Sequence, residues 1–150
     1  MDKFIYQSYA LNTTTERMAN MTKTDYGANI YLNGLNCAQA VFSAFSEDYG
    51  IDAVTACKIA SGLGGGARAG ELCGVVSGAI LVIGLKYGQQ TAADAERKLM
   101  CNTETDEFIR RFRGQHEDLV CRNLKKSDTA PKQCKGLVVS AINILLDMDY

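Results

Sequence analysis

The 150-residue chain holds a single histidine, a single proline and no excess of charge, with 16 Lys and Arg against 17 Asp and Glu. Each shortage removes a class of function. Balanced charge leaves no basic footprint for nucleic acid and no pull toward an acidic membrane surface. One histidine, His116, provides no nucleophile–base pair at a usable spacing, and neither G-x-S-x-G nor H-E-x-x-H occurs, which disfavours a hydrolase. His116 stands five residues before Cys121, and a surface position past a helix end is expected for it. No stretch approaches an 18-residue charge-free span, and Asp2, Lys3, Glu16, Arg17, Lys23 and Asp25 interrupt any signal-like core. These features predict a cytoplasmic protein without direct membrane insertion.

The lone proline, Pro131, and the lack of a linker, repeat or low-complexity run predict one domain over 1–150, with 1–13 irregular. A chain of this length buries roughly two-thirds of the surface its unfolded form exposes and needs no disulfides to fold. Stability alone therefore does not explain six cysteines. In a reducing cytosol, thiols that are not simply core side chains serve more often as metal ligands or redox groups. Their separations of 20, 16, 28, 20 and 13 positions contain no C-x-x-C, which excludes thioredoxin, zinc-knuckle and haem-attachment motifs. Any shared site must be assembled by the fold.

The pattern predicts an all-α, compact helical bundle of about five to six helices, with a glycine-rich loop between two central ones. A first helix is expected over Thr14–Leu32, stopped at Asn33-Gly34, and a second from the cap Asn36, ended by Gly50. A third begins at the cap Asp52. A fourth, about Leu72–Tyr87, is apolar nearly all round and should be central. A fifth, Thr91–Arg113, carries the charge of an outer helix and is expected to break at Gly114. A short turn over Glu117–Leu124 precedes a last helix from Asp128 or Thr129 to Leu146, with Cys134, Leu137, Val138, Ala141, Ile142 and Leu145 inward.

On this map Cys37, Cys73 and Cys134 fall in first helical turns, where free N–H groups and the helix dipole favour a thiolate. Cys57 and Cys101 lie mid-helix and read as small buried hydrophobes. Before Cys73 runs "SGLGGGARAGELCGVVSG", with seven glycines in eighteen residues. Gly62, Gly64, Gly65, Gly66 and Gly70 permit left-handed backbone whose N–H groups converge on an anionic ligand or cluster, and Arg68 adds a positive charge. The competing reading makes Gly62 a helix C-cap and uses the other glycines to turn the chain, with Gly74 and Gly78 for close helix packing. A P-loop is excluded for want of Gly-Lys-Ser/Thr, and the G-x-G-x-x-A match from Gly62 to Ala67 follows a helix rather than a strand.

The segments "NGLNCAQAVFSAF", "IASGLGGGARAGELCGVVSGA", "CRNL" and "CKGLVVSAINILL" together resemble the family of small redox-active bacterial proteins named for the pattern C-GCAxxG-C-C. The likeness runs from about 26 to 146. It places the four family cysteines on Cys37, Cys73, Cys121 and Cys134, with Val75 where the central motif has alanine. The resemblance implies a redox role for these four, either as ligands of a metal such as zinc or of an iron–sulfur cluster, or in thiol/disulfide exchange. It also implies a redox partner or a transporter-associated one. A non-catalytic helical module binding a small molecule is the alternative.

Overall fold

A computed structural model of the chain describes residues 20–125 and 130–150. They fold into seven α-helices: α1 (Lys23–Leu32), α2 (Cys37–Ser46), α3 (Ala53–Ala60), α4 (Gly74–Tyr87), α5 (Ala95–His116), α6 (Cys121–Leu124) and α7 (Ala130–Asp147). No strand occurs among the described residues, and the one β-type contact is an isolated antiparallel bridge between Leu72 and Val120. The all-α expectation holds, with one helix more than expected.

Capping chemistry sets most boundaries. Asn36 opens α2 with a full capping box: its side chain accepts from the Gln39 N–H while the Gln39 side chain accepts from the Asn36 N–H. Asp52 and Asp94 cap α3 and α5 in the simpler way. The first helix starts at Lys23 rather than Thr14, because the Thr22 hydroxyl accepts from the Asp25 N–H and begins a new turn there. The expected stretch before residue 20, and the irregular 1–13, lie outside the described residues. Helix α5 does not break at Gly114. A lone glycine costs a helix only about 1 kcal/mol against alanine, and the Phe112 and His116 rings, 4.6 Å apart, pack across the last turn. The turn over 117–124 is shorter than expected, with Cys121 as its first helical residue.

Helices α2 and α4 form the centre. Every residue of α2 from Ala38 to Ser46 is buried, and α4 buries Gly74, Val75, Val76, Gly78, Ala79, Val82 and Ile83. Helices α1, α3 and α7 pack on α2, while α5 and α7 cover α4. The outer α5 buries only Phe108 and Phe112, and Glu107 meets Arg110 and Arg111 on its solvent face. Helix α7 buries Leu137, Val138, Ala141, Ile142 and Leu145 as its pattern predicts. Burying side chains of this size contributes about 1.5–3 kcal/mol each.

The two central helices touch through small residues. A side-chain carbon at Gly78 would stand 2.7 Å from the Ala38 carbonyl oxygen and 3.2 Å from Val41 Cβ. Backbone cannot give way there, so Gly78→Ala should lower stability by about 1–3 kcal/mol. Gly114→Ala, with nothing within 4 Å, should raise it by up to about 1 kcal/mol. Urea midpoints of the two variants measure the difference directly.

Candidate four-cysteine site

Three segments that carry cysteines meet at one end of the α2–α4 pair, and Cys134 acts on them electrostatically. Cys37 is the first residue of α2 and Cys73 the N-cap of α4. Gly74 has no room for a side chain because the Cys37 sulfur occupies the place of its missing Cβ, with the Leu63 oxygen at 3.2 Å and the Ala38 nitrogen at 3.3 Å. The sulfur of Cys37 thus lies beside the backbone that follows Cys73.

Cys121 reaches the same place through the Leu72–Val120 bridge. The Cys73 N–H donates to the Leu119 oxygen at 2.8 Å, and the Cys121 N–H to the Glu71 oxygen at 2.6 Å. Asp118 secures the approach by accepting from the Leu119 and Val120 N–H groups at 2.7 and 2.9 Å. Arg122 pairs with Glu71 across the two strands of backbone. Cys134 comes from α7, one turn inside the helix rather than in its first turn, since α7 begins at Ala130.

The glycine loop joins these parts. Gly65, Gly66, Ala67 and Arg68 take φ values of 63°, 64°, 54° and 64°, a full turn of left-handed backbone. For Ala67 and Arg68 this costs roughly 1–2 kcal/mol each. Gly66 is wedged, for its Cβ would meet the Glu71 nitrogen at 2.5 Å and Cys121 Cβ at 2.8 Å. Gly64 is extended and buried against the Asn36 side chain, and Gly62 sits in a 3-10 turn rather than acting as a C-cap. The Gly65 N–H is directed at the Cys37 sulfur, whereas Arg68 is exposed at the loop tip. The close packing expected at Gly74 and Gly78 is present, and Gly64 and Gly66 share it.

The family model described as "Putative redox-active protein (C_GCAxxG_C_C)" matches residues 35–148. The chain belongs to this family. No curated protein and no solved structure matches the chain. No helix among the described residues of this redox-family member is long and apolar enough to cross a membrane.

The thiols act on one another electrostatically. Burial pushes Cys73 up to about 12, the Val75 N–H pulls against it, and the charges of Cys37, Cys121 and Cys134 add smaller rises. Cys37 is raised by burial and by Cys134 and Cys121, although the Gly65 and Ala38 N–H groups pull it down. Cys121 is raised by burial and by Cys134, with Lys125 opposing. The expectation that helix-start amides yield thiolates is therefore corrected. The amides are in place at Cys37 and Cys73, but desolvation outweighs them. All four cysteines are free thiols, and among the described residues no group of three or more His, Cys, Asp or Glu side chains is gathered closely enough to hold a metal ion.

Cys57 and Cys101 stand apart, each half-buried rather than fully enclosed. Cys57 lies 3.5 Å from the Ser43 hydroxyl, and its carbonyl accepts from Gln39. His116 is half-buried at the end of α5, 2.7 Å from the Ser140 hydroxyl, with burial lowering its pKa. It is not the solvent-facing residue expected. Sequence reasoning missed Tyr31, whose phenol is pushed up to about 12 by burial first and then by the nearby Cys134 and Cys37. Its place near the end of α1 carries no motif that would have drawn notice.

Thiols raised above their unfolded value favour the folded state below that value and lose this contribution as pH rises through the folded one. For Cys73 the window runs from its ordinary 9.0 to about 12. Native reduced protein should therefore lose stability from about pH 9 upward, less steeply in Cys73→Ala, as denaturant midpoints between pH 8 and 11 will read.

Proposed function

We propose that Cys37, Cys73, Cys121 and Cys134 form the redox centre, a thiolate site for zinc, iron or an iron–sulfur cluster. One observation carries the reading: burial raises the cost of ionising Cys37, Cys73 and Cys121, and a charge on a neighbouring cysteine, Cys134 in every case, raises it further. Such a set gathers negative charge only when a cation enters with it. Membership of a redox-active family supports the same conclusion.

The residues fit such a group in the chemistry of their donors. Four sulfurs are the soft ligand set of zinc and of iron–sulfur clusters, and the Gly65 N–H directed at Cys37 is the kind of amide contact that tunes them. A ligand cage of three or more is not preformed among the described residues, so loading entails movement of the cysteine-bearing segments. Bound iron would supply one-electron chemistry, and zinc Lewis acidity. Gly64, Gly65 and Gly66 supply a wall of backbone, and Arg68 a cation at the rim for an anionic ligand or a redox partner. Each cysteine releases its proton from sulfur on ligation, so affinity should rise with pH, about tenfold per unit for each proton displaced.

A second reading starts from the Cys37 sulfur lying beside Gly74, the residue after Cys73. Here the two thiols lose two electrons and two protons to form one S–S bond, while a disulfide of a partner thiol compound is reduced to two thiols. The high cost of ionising Cys73 counts against it as the attacking group.

Metal and acid-labile sulfide analysis with an absorption spectrum, on anaerobically prepared wild type and Cys73→Ser, separates the readings. Metal bound by wild type and lost in Cys73→Ser is the expected result. A two-thiol difference between reduced and oxidised protein, with no metal in either, would overturn it in favour of the disulfide cycle. In the metal-binding case, titration of Zn(II) into weakly buffered protein should acidify the solution.

A further inference from the structure

We infer that the open hollow between the end of α5 and α7 is a binding site for a small organic cation, a guanidinium or ammonium group carried on a short apolar chain. No cysteine lines it, so the inference stands apart from how the four thiols are read.

The hollow has a volume of about 550 Å³, within the ordinary range of small-molecule sites. Helix register builds one side: Gln133, Gly136 and Leu137 recur at i, i+3 and i+4 along α7 and so share a face, with Ser140 one turn further on. The last turn of α5 and the Glu117 that follows it form the other side, together with Leu124 of α6. Leu124 and Leu137 are buried and supply apolar surface. Gly114 and Gly136 keep the hollow open. Each is a poor helix former, yet a Cβ at either would meet nothing within 4 Å, so close packing does not require them.

Acceptors dominate the chemistry of this helix end. The Ser140 hydroxyl donates its one hydrogen to Gln115 Oε1 at 2.6 Å, so at 2.7 Å it accepts from His116 Nε2. That bond places the imidazole proton on Nε2 and leaves Nδ1 with a lone pair and no partner among the described residues. Burial lowers the pKa of His116, which favours the neutral ring. Glu117 is the one charged side chain lining the hollow; Arg113, Lys125 and Lys135, the described cations nearest in sequence, do not line it. The Glu117 N–H pairs with the Arg113 oxygen and the Asp118 N–H with that of His116, whereas the Gly114 and Gln115 oxygens have no N–H partner among the described residues. Unpaired carbonyls at a helix C-terminus carry the negative end of its dipole. A carboxylate, an imidazole lone pair and two carbonyl oxygens suit a cation rich in N–H donors, and a guanidinium addresses a carboxylate through two parallel bonds.

The single histidine of the chain makes the test direct. In untagged, reduced full chain at neutral pH and low ionic strength, a long-range ¹H–¹⁵N spectrum holds one imidazole, with Nδ1 expected as the unprotonated nitrogen. Titration of n-butylguanidinium to about 10 mM, which covers millimolar binding, should move that Nδ1 resonance saturably. n-Butylurea keeps the shape and N–H donors without the charge and should bind about threefold more weakly, and Glu117→Gln should weaken n-butylguanidinium by a similar factor. Gly136→Leu fills the hollow and should abolish the response without lowering thermal stability.

No saturable shift in the wild type would overturn the inference. So would n-butylurea or valerate binding as tightly as n-butylguanidinium, or an affinity unchanged by Glu117→Gln, since the site would then not select a cation. A response that persists in Gly136→Leu would place the cation elsewhere on the surface and overturn it as well.

Discussion

Close contact between α2 and α4 is the constraint on which the rest depends. Gly74 and Gly78 face the first turn of α2, where the Cys37 sulfur and the Ala38 backbone occupy the space that side chains would need. Because the helices meet at van der Waals distance, the start of one lies against the start of the other. Two cysteines distant in sequence thereby become neighbours. Apolar burial along both helices, from Phe42 and Phe45 to Val82 and Ile83, stabilises that contact.

The loop between α3 and α4 then has a demanding path. It must leave the Asn36 cap, pass the Cys37 sulfur and return to pair with the segment bearing Cys121. Left-handed backbone from Gly65 to Arg68 makes the turn, and the strain at Ala67 and Arg68 is borne by the rigid elements on either side. The Leu72–Val120 bridge completes the enclosure by giving the N–H groups of both Cys73 and Cys121 their partners. What results is a packed junction where amides assist two sulfurs, yet burial and neighbouring cysteines raise the pKa of three thiols. Such a set suits charge-compensated chemistry better than attack by a free thiolate.

Much of the helical plan was visible in the residues because its causes are local. Asn36, Asp52 and Gly50 mark boundaries through side-chain capping and left-handed geometry, which depend on a few adjacent positions. The central place of α4 followed from its apolar character on every side. Gly114 misled because a glycine in a helix is a small cost, readily outweighed by the packing of Phe112 and His116. Thr22 was passed over as a cap because the first helix was expected to run from Thr14 through it.

At the site, the cysteine pattern could nominate Cys37, Cys73, Cys121 and Cys134 by resemblance, and the glycines could suggest an unusual backbone. The sign of the thiol shifts was beyond it, since helix-start amides are a local property whereas desolvation depends on everything packed around the sulfur. Tyr31 was invisible for the same reason: the Cys134 that raises it lies on α7, which packs on α1 at Thr24–Asn143 and Gly27–Val138. Composition and short-range chemistry by themselves determined an all-helical chain with thiols at helix starts and a glycine turn before Cys73. The approach of the Cys37, Cys73 and Cys121 segments and the direction of their thiol shifts were decided by tertiary packing, because burial and long-range contact are properties of neighbours in space.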